Sequence, residues 1–400
     1  MQAYLNRPWA SVSQCLRSKY HIVAEIDFLE IDYDPQQLFE VLSSLYRPSF
    51  GPKEKIIVYH YDFDFYGPVK YGLMIYNFLQ AVRSLDISPS VFVLLTSHYG
   101  LGKEIQDYWL SHCDQFDYAN DGMTVFESNY QQLQAPESVR PTDLDIEKIS
   151  HAYICLCGQR RVHRLLFLCA LADRGILDQG ICSWHFNTRF DTLAQQVRLW
   201  GKIKSWFLSI GSNDQNKKPK YHFITPSNKT FVNDDWPIDS YFADCFNRHS
   251  EIFDHNHRHD LITSTTNQNR FDLPAIKNAL LYVAIESAFV NPNVCFTEKT
   301  FKAIVMKRPF VIVGCVGSLA KLRELGFRTF DKFWNEDYDQ EINPNKRLQK
   351  VLDIVSHISS LSVVELQEMC YNMQDILEHN AEHYSEQFAK QQLQQRLQEL

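Results

Sequence analysis

Short apolar runs alternate along the chain with longer stretches in which apolar residues recur every three or four positions. The runs fit buried strands and the periodic stretches fit helices. HIVAEIDFLEI predicts a strand and PQQLFEVLSSLY a helix. The β-branched run inside EKIIVYHYDFDF, Ile56 to His60, predicts a second strand, followed by an amphipathic helix in KYGLMIYNFLQAVRSL. PSVFVLLTS predicts a third strand and GKEIQDYWLSHC another helix. Such alternation argues for a parallel sheet with helices on its faces. VFESNYQQLQAPESVRPTDLDIEK is polar and proline-containing, and predicts a linker.

A second alternation follows. AYICLCG predicts a strand, HRLLFLCALADRG a helix and GICSW a short strand. Residues from about 186 to 275 are less regular and include SNDQNKKPK, FVNDDWP and HNHRHD. Order returns with ALLYVAIES, then CFTEKTFKAIVMKRPFVIVG, then the helix GSLAKLRELGF. From about 345 the pattern is helical, through RLQKVLDIVSHI and SVVELQEMCYNMQDILEHNAEHYSEQF to a glutamine-rich end. The expected fold class is α/β, with two Rossmann-like domains facing a cleft and a helical C-terminus. The domains run over residues 1–148, 149–345 and 346–400. In open α/β sheets the best ligand site lies at the carboxyl ends of the strands.

Composition narrows the classes. Of 400 residues, 45% are hydrophobic and 22% charged, which is globular and not disordered. A net charge of -8 argues against a protein that simply coats nucleic acid, although a local basic groove stays open. No apolar run reaches the ~18 residues of a membrane span. The N-terminal MQAYLNRPWASVSQ lacks a charged-then-apolar leader pattern. The ten cysteines are scattered without a CxxC pair, so reduced, buried thiols in a cytoplasmic setting are expected.

Candidate chemistry sits where strands hand over to helices. Thr297 is a good N-cap and Glu298 suits the positive end of a helix dipole. Lys299 does not, unless an anion lies nearby, which suggests a bound phosphate. Arg160, Arg161, His163 and Arg164 follow the AYICLCG strand, at the ligand edge of a parallel sheet. Arginines there offer paired donors to phosphate oxygens. The plainer alternative is a basic surface loop, but two such clusters in one half tip the balance. Glu286 and Glu298 are placed to accept hydrogen bonds from ribose or sugar hydroxyls. Their plainer alternatives are a solvated strand-end carboxylate and a first-turn dipole partner. In the first half, Asp62 and Asp64 form an Asp-x-Asp pair of hard oxygen ligands suited to Mg²⁺ or Mn²⁺. An Asx-type turn leading into a helix is the plainer alternative. His255, His257 and His259 alternate in a polar loop, where a solvated loop outweighs a metal site.

CLCGQRRVHR, LYVAIES, CFTEKTFKAIVMKRPFVIVG and LRELGFRTFDKFWNEDYD together resemble a family of glycosyltransferase-like proteins common in bacteriophages and some bacteria. Its members carry L-x-x-x-x-R-x-H-R, E-S/T, T-E-K-T/I-F-K-P/A-I, R-P-F and G-F-x-T-F…E-x-Y-D in this order. The TEK segment is also similar to the donor-binding part of fucosyltransferase-type enzymes. The likeness covers roughly residues 150 to 345. It departs at Ala303, where many relatives have proline, and at Asn335 to Asp339, where they often have Asp-Glu-Ser-Tyr-Asp.

The resemblance implies a GT-B arrangement and metal-independent transfer from a UDP- or GDP-sugar. Glu298 would hold the donor ribose and Lys299 the diphosphate, with Arg161 and Arg164 near the phosphates and His163 beside them. The first domain would face the acceptor, making His60, Asp62 and Asp64 candidates for the base. A hydroxymethylated base in phage DNA or a glycan is the expected acceptor, in the cytoplasm, the host's if the protein is viral. A non-catalytic module on the same fold is the alternative. A phosphorylase or epimerase is a third class; neither GxGxxG nor a P-loop occurs to support a dinucleotide or NTP enzyme.

Overall fold

The computed structural model describes residues 16–27, 35–45, 50–51, 53–60, 77–96, 101–103, 105–106, 122–127, 145–157, 162–184, 222–224, 230–232, 238–253, 274–290 and 293–384. Two four-stranded parallel sheets organise them.

The first sheet is β1 (His21–Asp27), β2 (Glu54–His60), β3 (Phe92–Thr96) and β4 (Thr124–Glu127), paired in sequence order. Ile57, Val58 and Tyr59 in β2 are buried on both faces, as a central parallel strand requires. One face, through Ile56, Val58, Phe92 and Leu94, packs with Leu38 and Leu42 of α1 (Pro35–Leu45) and with Phe78 and Val82 of a helix at residues 77–84. β4 corrects the linker expectation, because the structure makes the start of that polar stretch a strand. Among the described strands it pairs only with β3, so it needs few apolar residues and gives a weak pattern.

The second sheet has the order β10-β9-β5-β6, all parallel. β5 is His151–Cys157, β6 Gly180–Trp184, β9 Ala279–Ile285 and β10 Phe310–Val313. β7 (His222–Ile224) and β8 (Thr230–Val232) form a separate antiparallel pair. From β5 the chain first moves outward to β6, then returns to the other side of β5 to lay down β9 and β10. The strand order therefore reverses between β5 and β9. The carboxyl ends of those strands flank the crevice where open α/β sheets take ligands.

α2 (Val162–Asp173) links β5 to β6 and is apolar on almost every side, so it is buried accordingly. Against it packs α3 (Ser240–His249), with Phe242, Ala243, Cys245 and Phe246 buried. Asp239 caps α3 by accepting from the Phe242 N–H at 3.1 Å. This helix lies in the stretch that looked irregular. Only a Pro-Ile-Asp entry and one apolar face of ten residues announce it.

α4 (Glu298–Val305) precedes β10, and α5 (Ser318–Glu324) follows it. Three helices close the core: α6 (Pro344–Ser359), α7 (Val363–Asn372) and α8 (Gln374–His383). Asn343 caps α6 through two N–H groups, and Ser362 with Glu365 forms a reciprocal capping box on α7. The long helical pattern after residue 362 breaks at Met373, whose side chain is buried. Leu348, Val351, Leu352, Val355, Ile376 and Leu377 join the same core as β5, β9 and β10. Among the described residues no helix is long and apolar enough to cross a membrane.

Candidate functional site

The G-F-x-T-F…E-x-Y-D segment turns out to be internal bracing. The Asp339 carboxylate accepts the Leu319 N–H at 2.7 Å and the Ala320 N–H at 3.0 Å, so it fills the N-terminus of α5. Tyr338 Oη accepts the Ile312 N–H at 3.2 Å, which covers a donor on edge strand β10. Glu336 accepts the Phe330 N–H and the Thr329 hydroxyl, each at 2.7 Å, and pairs with Arg323 at 3.0 Å.

At the crevice, β9 is followed directly by Glu286, which is buried with 1% of its surface exposed. Its Oε1 accepts the Thr297 N–H at 3.1 Å, the Thr300 N–H at 3.3 Å and the Thr300 hydroxyl at 2.5 Å. Its Oε2 accepts the Thr297 N–H at 3.2 Å and the Thr297 hydroxyl. One carboxylate thus caps α4 from outside the helix. A solvated strand-end carboxylate, the plainer expectation for Glu286, is not what the fold makes of it. Burial pushes its carboxyl above the ordinary range, although Lys299 and the two threonines pull the other way. Gly314 lets the chain leaving β10 pass alongside. A Cβ there would lie 2.9 Å from Ile312 Cγ2 and 3.7 Å from Glu286 Cβ.

Thr297 begins α4 as expected, with its hydroxyl accepting the Lys299 N–H at 3.4 Å. Lys299 Nζ donates to the same hydroxyl at 3.1 Å and to Glu298 Oε1 at 2.9 Å. Glu286, Thr297, Lys299 and Glu298 therefore form one continuous network. The Lys299 and Glu298 side chains keep 13% and 12% of their surface exposed.

His163 and Arg164 brace the other wall. His163 Nε2 lies 2.9 Å from the Glu286 carbonyl, which can only accept, so Nε2 carries the proton. Arg164 is buried and donates through Nη2 to the Ile285 carbonyl at 3.2 Å. Both side chains, expected at donor phosphates, spend hydrogen bonds on tying the first turn of α2 to the end of β9. Cys157, at the end of β5, feels the same charges. A hydrogen bond from Cys155 holds its thiol below the ordinary value, Arg164 and Lys299 reinforce this, and burial opposes it.

His163 also stacks on Phe289, with ring centroids 5.1 Å apart, and the Arg347 guanidinium of α6 lies 4.4 Å from that ring. Arg347 donates to the carbonyls of Glu341 and Phe289, each at 2.6 Å. It clamps the loop after β9 to the C-terminal helices. Arg347→Met is expected to cost about 2–3 kcal/mol, because it leaves buried carbonyls without their charged donor. Urea denaturation of the two proteins measures the difference.

Arg160, Arg161, Asp62, Asp64, His255, His257 and His259 lie outside the described residues. His60 is fully buried at the end of β2, with Nδ1 2.9 Å from Thr96 Oγ1. In register, His60 stands beside Thr96 and Thr96 beside Glu127, across the carboxyl ends of β2, β3 and β4. Glu127 Oε1 accepts the Gly102 N–H at 2.6 Å. Among the described residues no group of three His, Cys, Asp or Glu side chains is placed to hold a metal.

Compared with protein-family models, curated proteins and solved structures, the chain matches none.

Proposed function

We propose that the chain is a nucleotide-sugar-dependent glycosyltransferase whose donor site is the crevice between β5 and β9. The observation that carries this is the coincidence of the strand-order reversal with the Lys299–Glu298–Thr297–Glu286 network. A site of this kind holds a diphosphate by a cation at a helix start, and Glu298 is the carboxylate for the ribose. Glu286, His163 and Arg164 are positioning residues that set the start of α4 against the sheet. Arg161, next to them in sequence, is the further phosphate partner.

The two sheets are proposed to face one another across a cleft in the GT-B manner, with the first sheet on the acceptor side. The acceptor oxygen bonds to the anomeric carbon as that carbon's bond to the diphosphate oxygen breaks. The electron pair leaves with the diphosphate, and the hydroxyl proton passes to a base, for which His60, Asp62 and Asp64 are the candidates. Of these, His60 is oriented by Thr96 at the carboxyl edge of its sheet. The donor is a UDP- or GDP-sugar, used without a metal. The acceptor is a hydroxymethylated base in phage DNA or a glycan, in the cytoplasm that houses the protein.

One observation favours a second reading, a non-catalytic module on the same architecture. Lys299 is already paired with Glu298, and Arg164 is wholly buried, so much of the site's positive charge is answered within the protein.

Thermal melting against nucleoside diphosphates and nucleotide sugars, with Mn²⁺ or with EDTA, separates the two. The glycosyltransferase reading expects one nucleotide series to raise Tm in EDTA, since a ligand of the native state must stabilise it. A shift that needs the metal moves attention to Asp62 and Asp64. No shift with any nucleotide favours the non-catalytic module.

A further inference from the structure

Lys302 lies in the middle of α4 with 8% of its surface exposed. Helical side chains lean toward the N-terminus, so the Lys302 stem lies over Glu298 and Lys299, four and three residues back. Each of the other charged side chains at this end of the helix has a partner. Glu286 is held by Thr297 and Thr300, and Lys299 and Glu298 are held by each other. The Lys302 amine makes no hydrogen bond or ion pair among the described residues, although its backbone carbonyl accepts the Met306 N–H within the helix. Burial pushes its amine below the ordinary lysine value, Glu298 opposes the shift and Lys299 adds to it.

A second group at the same strand ends is also unanswered. Ser287 directly follows Glu286 after β9 and is 8% exposed, and its hydroxyl has no hydrogen-bond partner among the described residues.

A largely buried ammonium held by no hydrogen bond or ion pair of its own is costly, and chains rarely keep one for packing alone. A methionine fills the same volume without the desolvation. The neighbouring charges set the sign of the missing partner. Lys299 nearby repels a cation, while Glu298, the anion that acts on Lys302, is already engaged by Lys299.

We infer that Lys302, with Lys299 and the start of α4, forms an anion subsite that takes a phosphate of the bound ligand. The inference rests on the donor-site reading and deepens it. Lys299 and Lys302, one helical turn apart, would meet adjacent phosphates of a diphosphate.

The test is titration calorimetry of the full chain with sodium pyrophosphate, UDP and GDP, on the wild type, Lys302→Met and Lys302→Gln, with melting of each protein free of ligand. Lys302→Met is expected to raise the ligand-free Tm, because it removes an uncompensated buried charge. It is also expected to weaken the ligand bound by the wild type by roughly 10- to 100-fold. These opposite signs distinguish a ligand-binding lysine from a structural one. Lys302→Gln, which keeps a donor without the charge, is expected to lose affinity alongside it. Binding within about twofold of wild type in Lys302→Met overturns the inference and leaves the donor-site reading standing. A lower ligand-free Tm in Lys302→Met makes the lysine structural and also overturns it, as does full affinity in Lys302→Gln. A wild type that binds none of the three ligands overturns both. Tight binding of pyrophosphate places recognition in the phosphates, whereas binding of UDP or GDP alone requires the nucleoside as well.

Discussion

Glu286→Ala is expected to destabilise the protein by about 3 kcal/mol, the largest single effect at this end of the sheet. The substitution strips the acceptor from the Thr297 and Thr300 N–H and hydroxyl groups at once. It also removes a side-chain link from the β9 end to the α4 cap. Glu286→Gln is expected to cost less, because one oxygen still accepts. The two variants should also differ from wild type in pH dependence. Burial raises the folded-state carboxyl above its ordinary value of 4.5. Between that value and the raised one, the folded protein holds a proton that the unfolded chain has lost. Stability from this group therefore falls as pH rises through that window, and is fully present below it. Urea denaturation in steps from pH 4 upward should show this slope in wild type and its loss in Glu286→Gln. A slope unchanged by the substitution would assign it to other carboxyls with raised values, such as Glu336 and Asp339.

Lys299→Ala is expected to do the reverse, weakening nucleotide binding far more than folding. Its ammonium pairs with Glu298 and the Thr297 hydroxyl, next to it in sequence, and the helix cap remains with Glu286. A loss of roughly 10- to 100-fold in affinity is the scale for one charged hydrogen-bond donor to phosphate. The change in folding stability should stay within about 1 kcal/mol, as for a largely local pair. Calorimetric titration beside urea denaturation measures both. Equal losses would make Lys299 a structural residue and remove it from the phosphate.

The elements around the candidate site were legible because their patterns are strong. β5, β9 and β10 are unbroken apolar runs, and Thr297-Glu298-Lys299 announces a helix start. The roles of the residues were less legible, because they depend on partners distant in sequence. Arg164 looked like a phosphate donor in its loop, yet it is buried under the Ile285 carbonyl 121 residues away. Glu286 looked like an open carboxylate until the fold brought Thr297 and Thr300 onto it. Arg347 and Phe289 gave no signal, since their contact joins α6 to the loop after β9. Lys302 was hidden differently. Its spacing from Lys299 was visible, but only burial without a partner sets it apart from a solvated lysine. In the first sheet, β4 and the His60–Thr96 pair needed the register of β2, β3 and β4 to appear.

A nucleotide is proposed to bind where the second sheet reverses its strand order. Amide hydrogen exchange of the full chain, alone and with saturating UDP or GDP, tests this most directly. Added protection is expected over 157–166, 286–290 and 297–302, at the ends of β5 and β9 and the start of α4. Protection confined to the ends of β2, β3 and β4, around His60, Thr96 and Glu127, would contradict it.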